Sequence, residues 1–131
     1  MSTNFPTKGQ LERTLSQRIQ GLYKSHLGHQ PSKVTCQLFA DKLAVIVENS
    51  LTPAEQILIE KGQEDLAEQV RSGLDEASQP QLQELIEEIL SVQVNDILSD
   101  ATLETGRTGI IAVLNSSPQM RPNQTASEAK K

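Results

Sequence analysis

The stretch KLAVIVENSLTPAEQILIE, Lys42 to Glu60, holds the boundary on which the fold turns. Its first half is apolar on both faces of a strand: Leu43, Val45 and Val47 share one side, and Ala44 and Ile46 fill the other. Such a strand belongs inside a sheet, because neither of its faces suits water. The second half is a helix start, with Thr52 at the N-cap, Pro53 at the first helical position and Glu55 at the third. In that arrangement the threonine hydroxyl accepts from the Glu55 amide, while the Glu55 carboxylate reaches back to the Thr52 amide. The Thr/Glu pair therefore reads as punctuation between strand and helix, not as chemistry.

Working back from Lys42, VTCQLFA places Val34, Cys36 and Leu38 on one side, and the tight Ala40-Asp41-Lys42 junction makes the two runs a hairpin whose first strand lies nearer an edge. Before it, Leu11, Leu15, Ile19, Leu22, Tyr23 and Leu27 recur at spacings of mostly three and four, the mark of an amphipathic helix from Pro6 to about Leu27. Thr7 with Gln10 supplies its capping box, and Gly28 with Pro31 ends it.

Working forward, Ile57, Leu58 and Ile59 open a short helix. Leu66, Val70 and Leu74 then form a four-residue stripe, and Leu82, Leu85, Ile86, Ile89 and Leu90 form a further face. Gly73 and Pro80 interrupt this region, so Glu64 to Leu90 is either one kinked helix or two. Val92, Val94, Ile97, Ser99, Ala101 and Leu103 alternate only if the register slips near Asn95 or Asp96, which predicts a β-bulge. The turn Glu104 to Arg107 leads into TGIIAVLN, again apolar on both faces and therefore central.

The order is helix, hairpin, helices, hairpin. It predicts an α+β fold, a four-stranded antiparallel sheet with helices packed on one face. The expected organisation is a flexible N-terminus over residues 1–6, a single α+β domain over 7–115 and a disordered C-terminal tail over 116–131, whose SSPQMRPNQTASEAKK is too polar to offset the entropy of ordering.

Function is less legible. The single cysteine, Cys36, has no partner for an internal disulfide, no signal-peptide pattern opens the chain, and no apolar run approaches the roughly 18 residues that span a bilayer. A cytoplasmic protein without direct membrane insertion is expected. Net charge is −5, unevenly spread: Leu51 to Leu90 carries ten acids against Lys61 and Arg71, whereas the first 34 residues carry five bases against Glu12. Such asymmetry orients a partner or a second copy. With a sequence pI near 5 and few aromatic residues, nucleic acid is not an expected partner.

The catalytic inventory is thin. His26 and His29 are separated by a helix-ending glycine and have no Cys or Asp nearby to complete a metal set; Cys36 reads as a small core residue. Paired carboxylates at Glu64/Asp65, Asp75/Glu76 and Glu87/Glu88 point about 100° apart on a helix and read as solvating groups. No enzyme activity, metal or cofactor is expected. The candidate ligand-binding residues are Arg107 in the hairpin turn, Lys24 on the basic face of the first helix, and Asp96 and Asp100 beside the bulge.

With its elements in this order, the chain resembles the MpsC-like family of small bacterial proteins. The residues that carry the likeness are TKGQLE (Thr7 to Glu12), LYKSHLGHQP (Leu22 to Pro31), LTPAE (Leu51 to Glu55), QLQELIEEI (Gln81 to Ile89) and SDATLETGRTGIIAVL (Ser99 to Leu114). Where the family often has Thr-Gly-Val before the third strand, this chain departs with Leu90-Ser91-Val92. The resemblance implies an accessory role in a sodium-linked membrane-potential or inorganic-carbon uptake system and supplies no catalytic residues. The expectation is a non-catalytic regulatory or adaptor protein acting through protein contacts, with an unidentified and membrane-associated partner. A homodimer is also expected, because a one-layer sheet leaves Phe39, Ile46 and Ile111 in want of cover. The alternative is a sensor or binding module for a small anion or nucleotide.

Overall fold

Four strands form one antiparallel sheet: β1 (Lys33–Phe39), β2 (Lys42–Glu48), β3 (Val94–Thr102) and β4 (Arg107–Leu114). The computed structural model that shows them describes residues 5–121. The sheet order is β1-β2-β4-β3, so the two strands that are apolar on both faces lie in the middle and the two hairpins meet through them. The register of β3 shifts between Val94 and Asp96, at the expected bulge. Beyond it Ile97 pairs with Ala112 on the inner face, and Leu98 pairs with Ile111 on the outer one.

Helices cover one face of the sheet. Helix α1 (Lys8–Leu22) starts at the Thr7/Gln10 capping box, turns Leu11, Leu15 and Ile19 inward, and closes with a π-helical turn over Tyr23–Leu27 that Gly28 ends at φ 65°. Wider turns of this kind adjust where side chains point; here the turn buries Tyr23 and leaves Lys24 and His26 exposed. Helix α2 (Pro53–Glu60) is short, and α3 (Glu64–Leu90) is a single helix of 27 residues running through both Gly73 and Pro80. One core joins α1, the carboxyl-terminal half of α3 and the inner face of the sheet, with Leu15, Ile19, Leu43, Val47, Ile86 and Ala112 fully buried.

The amino-terminal half of α3 departs from the sequence expectation. Leu66, first of the predicted apolar stripe, is 43% exposed, whereas Ala67 and Arg71 face inward at 0% and 3%. An apolar count cannot see the reason, which is that Arg71 has a charged partner waiting on α2. The start of the expected tail also differs. Pro118 is buried, Met120 packs against the core, and the Arg121 amide and guanidinium donate to the Pro6 and Phe5 carbonyls at 2.9 and 2.6 Å. The rest of that tail, residues 122–131, and residues 1–4 of the expected flexible N-terminus lie outside the described residues.

Ser91 occupies the left-handed region at φ 56° as the C-cap of α3, its amide on the Glu87 carbonyl at 2.8 Å. The departure from the family's glycine thus falls where glycine is the least strained residue. Ser91→Gly is expected to raise stability by about 1 kcal/mol in urea denaturation, and unchanged or lower stability would contradict this reading of the cap.

Candidate functional site

The capping box at Thr52 is the base of a larger construction. Both of its halves are present: the Glu55 amide donates to Thr52 Oγ1 at 3.3 Å, and Glu55 Oε1 accepts from the Thr52 amide and hydroxyl, each at 2.9 Å. Capping glutamates ordinarily sit at a wet helix end. Glu55, however, is fully buried, and across from it Arg71 of α3 donates from Nε to Oε2 at 2.7 Å and from Nη2 to Oε1 at 2.6 Å. This two-pronged geometry is the strong form of a carboxylate–guanidinium contact.

Arg71 has further partners. Its Nη2 also donates to the Ser50 carbonyl at 2.9 Å, and its Nη1 to Asp75 Oδ1, one helical turn along, at 3.2 Å. Ser50 carries the network into the second hairpin: its amide and hydroxyl donate to the Gly106 carbonyl at 2.8 and 2.9 Å, and its hydroxyl lies 2.8 Å from that of Thr108. Among the described residues, no buried side-chain nitrogen or oxygen lacks a partner. Satisfaction of this kind is what makes a buried charge tolerable.

The electrostatics follow from the geometry. Burial alone would push the Glu55 carboxyl up, but the Arg71 guanidinium and the Thr52 amide and hydroxyl overcome it and hold the group below the usual carboxylate range. Asp75 goes the other way. Its desolvation outweighs Arg71, with Glu55 and Asp100 adding like-charge repulsion, and its carboxyl is raised. The buried Tyr23 hydroxyl is also raised, chiefly by desolvation and then by Asp75.

Asp75 stands at the junction of two spaces. Inward is a narrow apolar chamber of about 30 Å³ between Leu22, Leu27, Leu82 and Ile110, with Tyr23 and Thr108 beside it, which has room for a water or two. Outward is an open cleft of about 490 Å³ between α3 and β3, walled by Arg71, Ser72, Glu76 and Gln79 on one side and by Ile97 to Asp100 on the other.

Of the four residues singled out in the sequence, Asp100 alone lines this cleft. Asp96 sits at the bulge opposite Val113, Lys24 is exposed on the π-helical turn, and Arg107 Nε lies 2.7 Å from Glu48 Oε1 in an exposed cross-strand pair. The four do not assemble. His29 Nε2 donates to the Asn49 carbonyl at 2.8 Å, and among the described residues no group of three or more His, Cys, Asp and Glu side chains could hold a metal ion. Cys36 is buried and its thiol is pushed up, first by desolvation, so it is a small core residue and not a poised thiolate. Reading for periodicity and for adjacent carboxylates missed Arg71 and Asp75. The signal that could have found them was an arginine alone in an acid-rich helix with an aspartate four residues on.

The family model described as "Na+-translocating membrane potential-generating system (MpsC)" matches residues 7–116. The chain belongs to the MpsC family. The match runs from the N-cap of α1 past the end of β4, so the Glu55–Arg71–Asp75 cluster and the cleft both lie inside the MpsC domain. No curated protein and no solved structure gives a significant match. Among the described residues, no helix is long and apolar enough to cross a membrane.

Two outcomes test the cluster. Arg71→Met leaves the buried Glu55 without its counter-charge and is expected to cost about 3 kcal/mol or more, while adding Glu55→Gln, which keeps the cap acceptor, should recover a large part of the loss. Additive effects in that denaturation cycle would mean that the two charges are not coupled. The pH dependence separates the carboxylates. Glu55, with a depressed folded pKa, stabilises the fold above its unfolded value, and this contribution is lost as pH falls. Asp75, with a raised one, favours the fold most below its unfolded value and loses that contribution as pH rises. Asp75→Asn removes the opposing slope, so its stability should fall more steeply than the wild type's between about pH 5 and 3.

Proposed function

We propose that this MpsC-family protein is a non-catalytic regulatory or adaptor subunit, accessory on the cytoplasmic side to a membrane ion or inorganic-carbon uptake system, and that it works as a homodimer. The observation that carries the proposal is the bare face of the sheet. With the helices all on the other side, Phe39, Ile46 and Leu98 are 48%, 43% and 55% exposed, and Ala44, Ile111 and Val113 join them in one apolar field. A continuous apolar surface of this kind on a small domain marks an interaction site.

The occupant argued for is a second copy. Lys33 lies on the β1 margin of this face and Asp96 and Asp100 on the β3 margin, so a twofold axis parallel to the strands sets the basic margin of one copy over the acidic margin of its partner. Support for a non-catalytic role comes from the cluster, whose charges are turned on one another, and from the shielded Cys36 thiol. The rival reading, an anion or nucleotide sensor built on Arg107 and Lys24, has less to rest on because the Arg107 guanidinium is already engaged by Glu48.

Light scattering of the wild type is expected to give about twice the 14.4 kDa chain mass. Ile46→Lys should return it to the single-chain mass with little change in melting temperature. A strictly single-chain wild type at high concentration would overturn the dimer. Recovery of no membrane-system component with the tagged chain from its native cell would count against the accessory role.

A further inference from the structure

The two edges of the sheet are finished differently. Beside β1 lies α1, whose Glu12 carboxylate accepts the Leu38 amide at 2.8 Å, so α1 meets one outward amide of that edge. The β3 edge faces the cleft. Gln79 Nε2 of α3 donates to the Ile97 carbonyl at 3.3 Å, which turns this carbonyl away from β4. In an antiparallel ladder the outward positions alternate, so Ser99 and Ala101 present their amides and carbonyls on the same side. The Asp100 carboxylate accepts the Ala101 amide at 2.9 Å, in keeping with that direction. Among the described residues, no protein group meets the Ser99 amide or carbonyl.

This half-open edge is one wall of the 490 Å³ cleft, and α3 is the other. A groove between a sheet edge and a helix has the shape of an extended chain: main-chain groups of the guest pair with the edge, and alternate side chains turn toward the helix. The charge of the groove selects the guest. Arg71 is shared by Glu55 and Asp75, so that trio keeps one net negative charge; Glu76 and Asp100 add to it to set an acidic field, and Leu98 beside them is exposed. We propose that the groove between β3 and α3 binds an extended, basic segment of a partner protein, which adds to the β3 edge as a fifth strand. The groove meets the bare sheet face at Leu98 and Asp100, but its α3 wall of Ser72, Glu76 and Gln79 lies off that face, so a change at Glu76 tests the groove without touching the dimer.

The test uses the full chain and a fluorescent peptide of nine residues, the length of β3, alternating lysine and valine with blocked ends. Anisotropy is expected to show saturable binding. Replacing the lysines by glutamate, or N-methylating alternate amides on the pairing edge, should each weaken it at least about tenfold. Ser99→Pro, which removes an outward amide from an edge strand, and Glu76→Lys should do likewise while the light-scattering mass stays that of the wild type. Absence of saturable binding overturns the proposal. So does equal binding of the N-methylated peptide, or displacement by spermine at matched charge, since either would mean that the cleft collects cations without pairing a strand. If Ser99→Pro does not fold, the comparison of plain and N-methylated peptides on the unaltered protein decides.

Discussion

The Glu55–Arg71 ion pair is the constraint that the rest of the structure obeys. Two opposite charges removed from water each carry a desolvation penalty of several kcal/mol, offset only if their geometry and remaining hydrogen bonds are complete. Completeness requires several elements at once. Glu55 must stand at the third position of α2, Thr52 must cap it, the Ser50 carbonyl at the end of β2 must face the guanidinium, and α3 must be turned so that Arg71 points inward. Small Ala67, fully buried one turn earlier, completes that inward strip, and Leu66 is left toward solvent. The ion pair thus sets the rotation of α3 in its first half, while Leu82, Leu85, Ile86 and Leu90 set it in the second.

Much of this was legible in the residues. The double-faced apolar pattern of KLAVIVE and TGIIAV identified the central strands, the slip near Asn95 identified the bulge, and both capping boxes could be read from threonine and the residue three positions on. What was not legible has one physical cause. Periodicity arguments count apolar groups, so they place Asp75 in solvent and Glu55 at a helix end, and they say nothing of where Arg71 points. Burial of a charge depends on a partner brought from elsewhere in the chain, and Arg71 comes 16 residues after Glu55 across a helix break. The continuity of α3 through Pro80 was undecided for a related reason, since packing of the flanking faces, not local propensity, determines whether a helix survives a proline. Of the ligand candidates only Asp100 lines the cleft, because a position in a turn, on a helix face or beside a bulge does not by itself make side chains converge.

The architecture also separates the protein's surfaces. One face of the sheet is committed to α1 and α3; the other carries an apolar field. On one edge Glu12 meets the Leu38 amide, and the other opens on an acidic groove. A domain of the MpsC family built this way has its charged cluster folded inward and leaves an apolar sheet face and an acidic groove outward.

The order β1-β2-β4-β3 has a consequence for how the chain reaches this state. Each hairpin is local, closed by Ala40-Asp41 in one case and by Leu103 to Gly106 in the other, and such units form within microseconds. Joining them along β2 and β4 closes a loop more than sixty residues long, from Val47 to Thr108, and entropy opposes that step until the seam is made. The Ser50–Gly106 and Ser50–Thr108 contacts lie at one end of this seam, with Arg71 attached to them from the intervening helix. The slow event in folding is therefore the meeting of two ready-made hairpins, and the polar cluster beside Ser50 is where that meeting is locked.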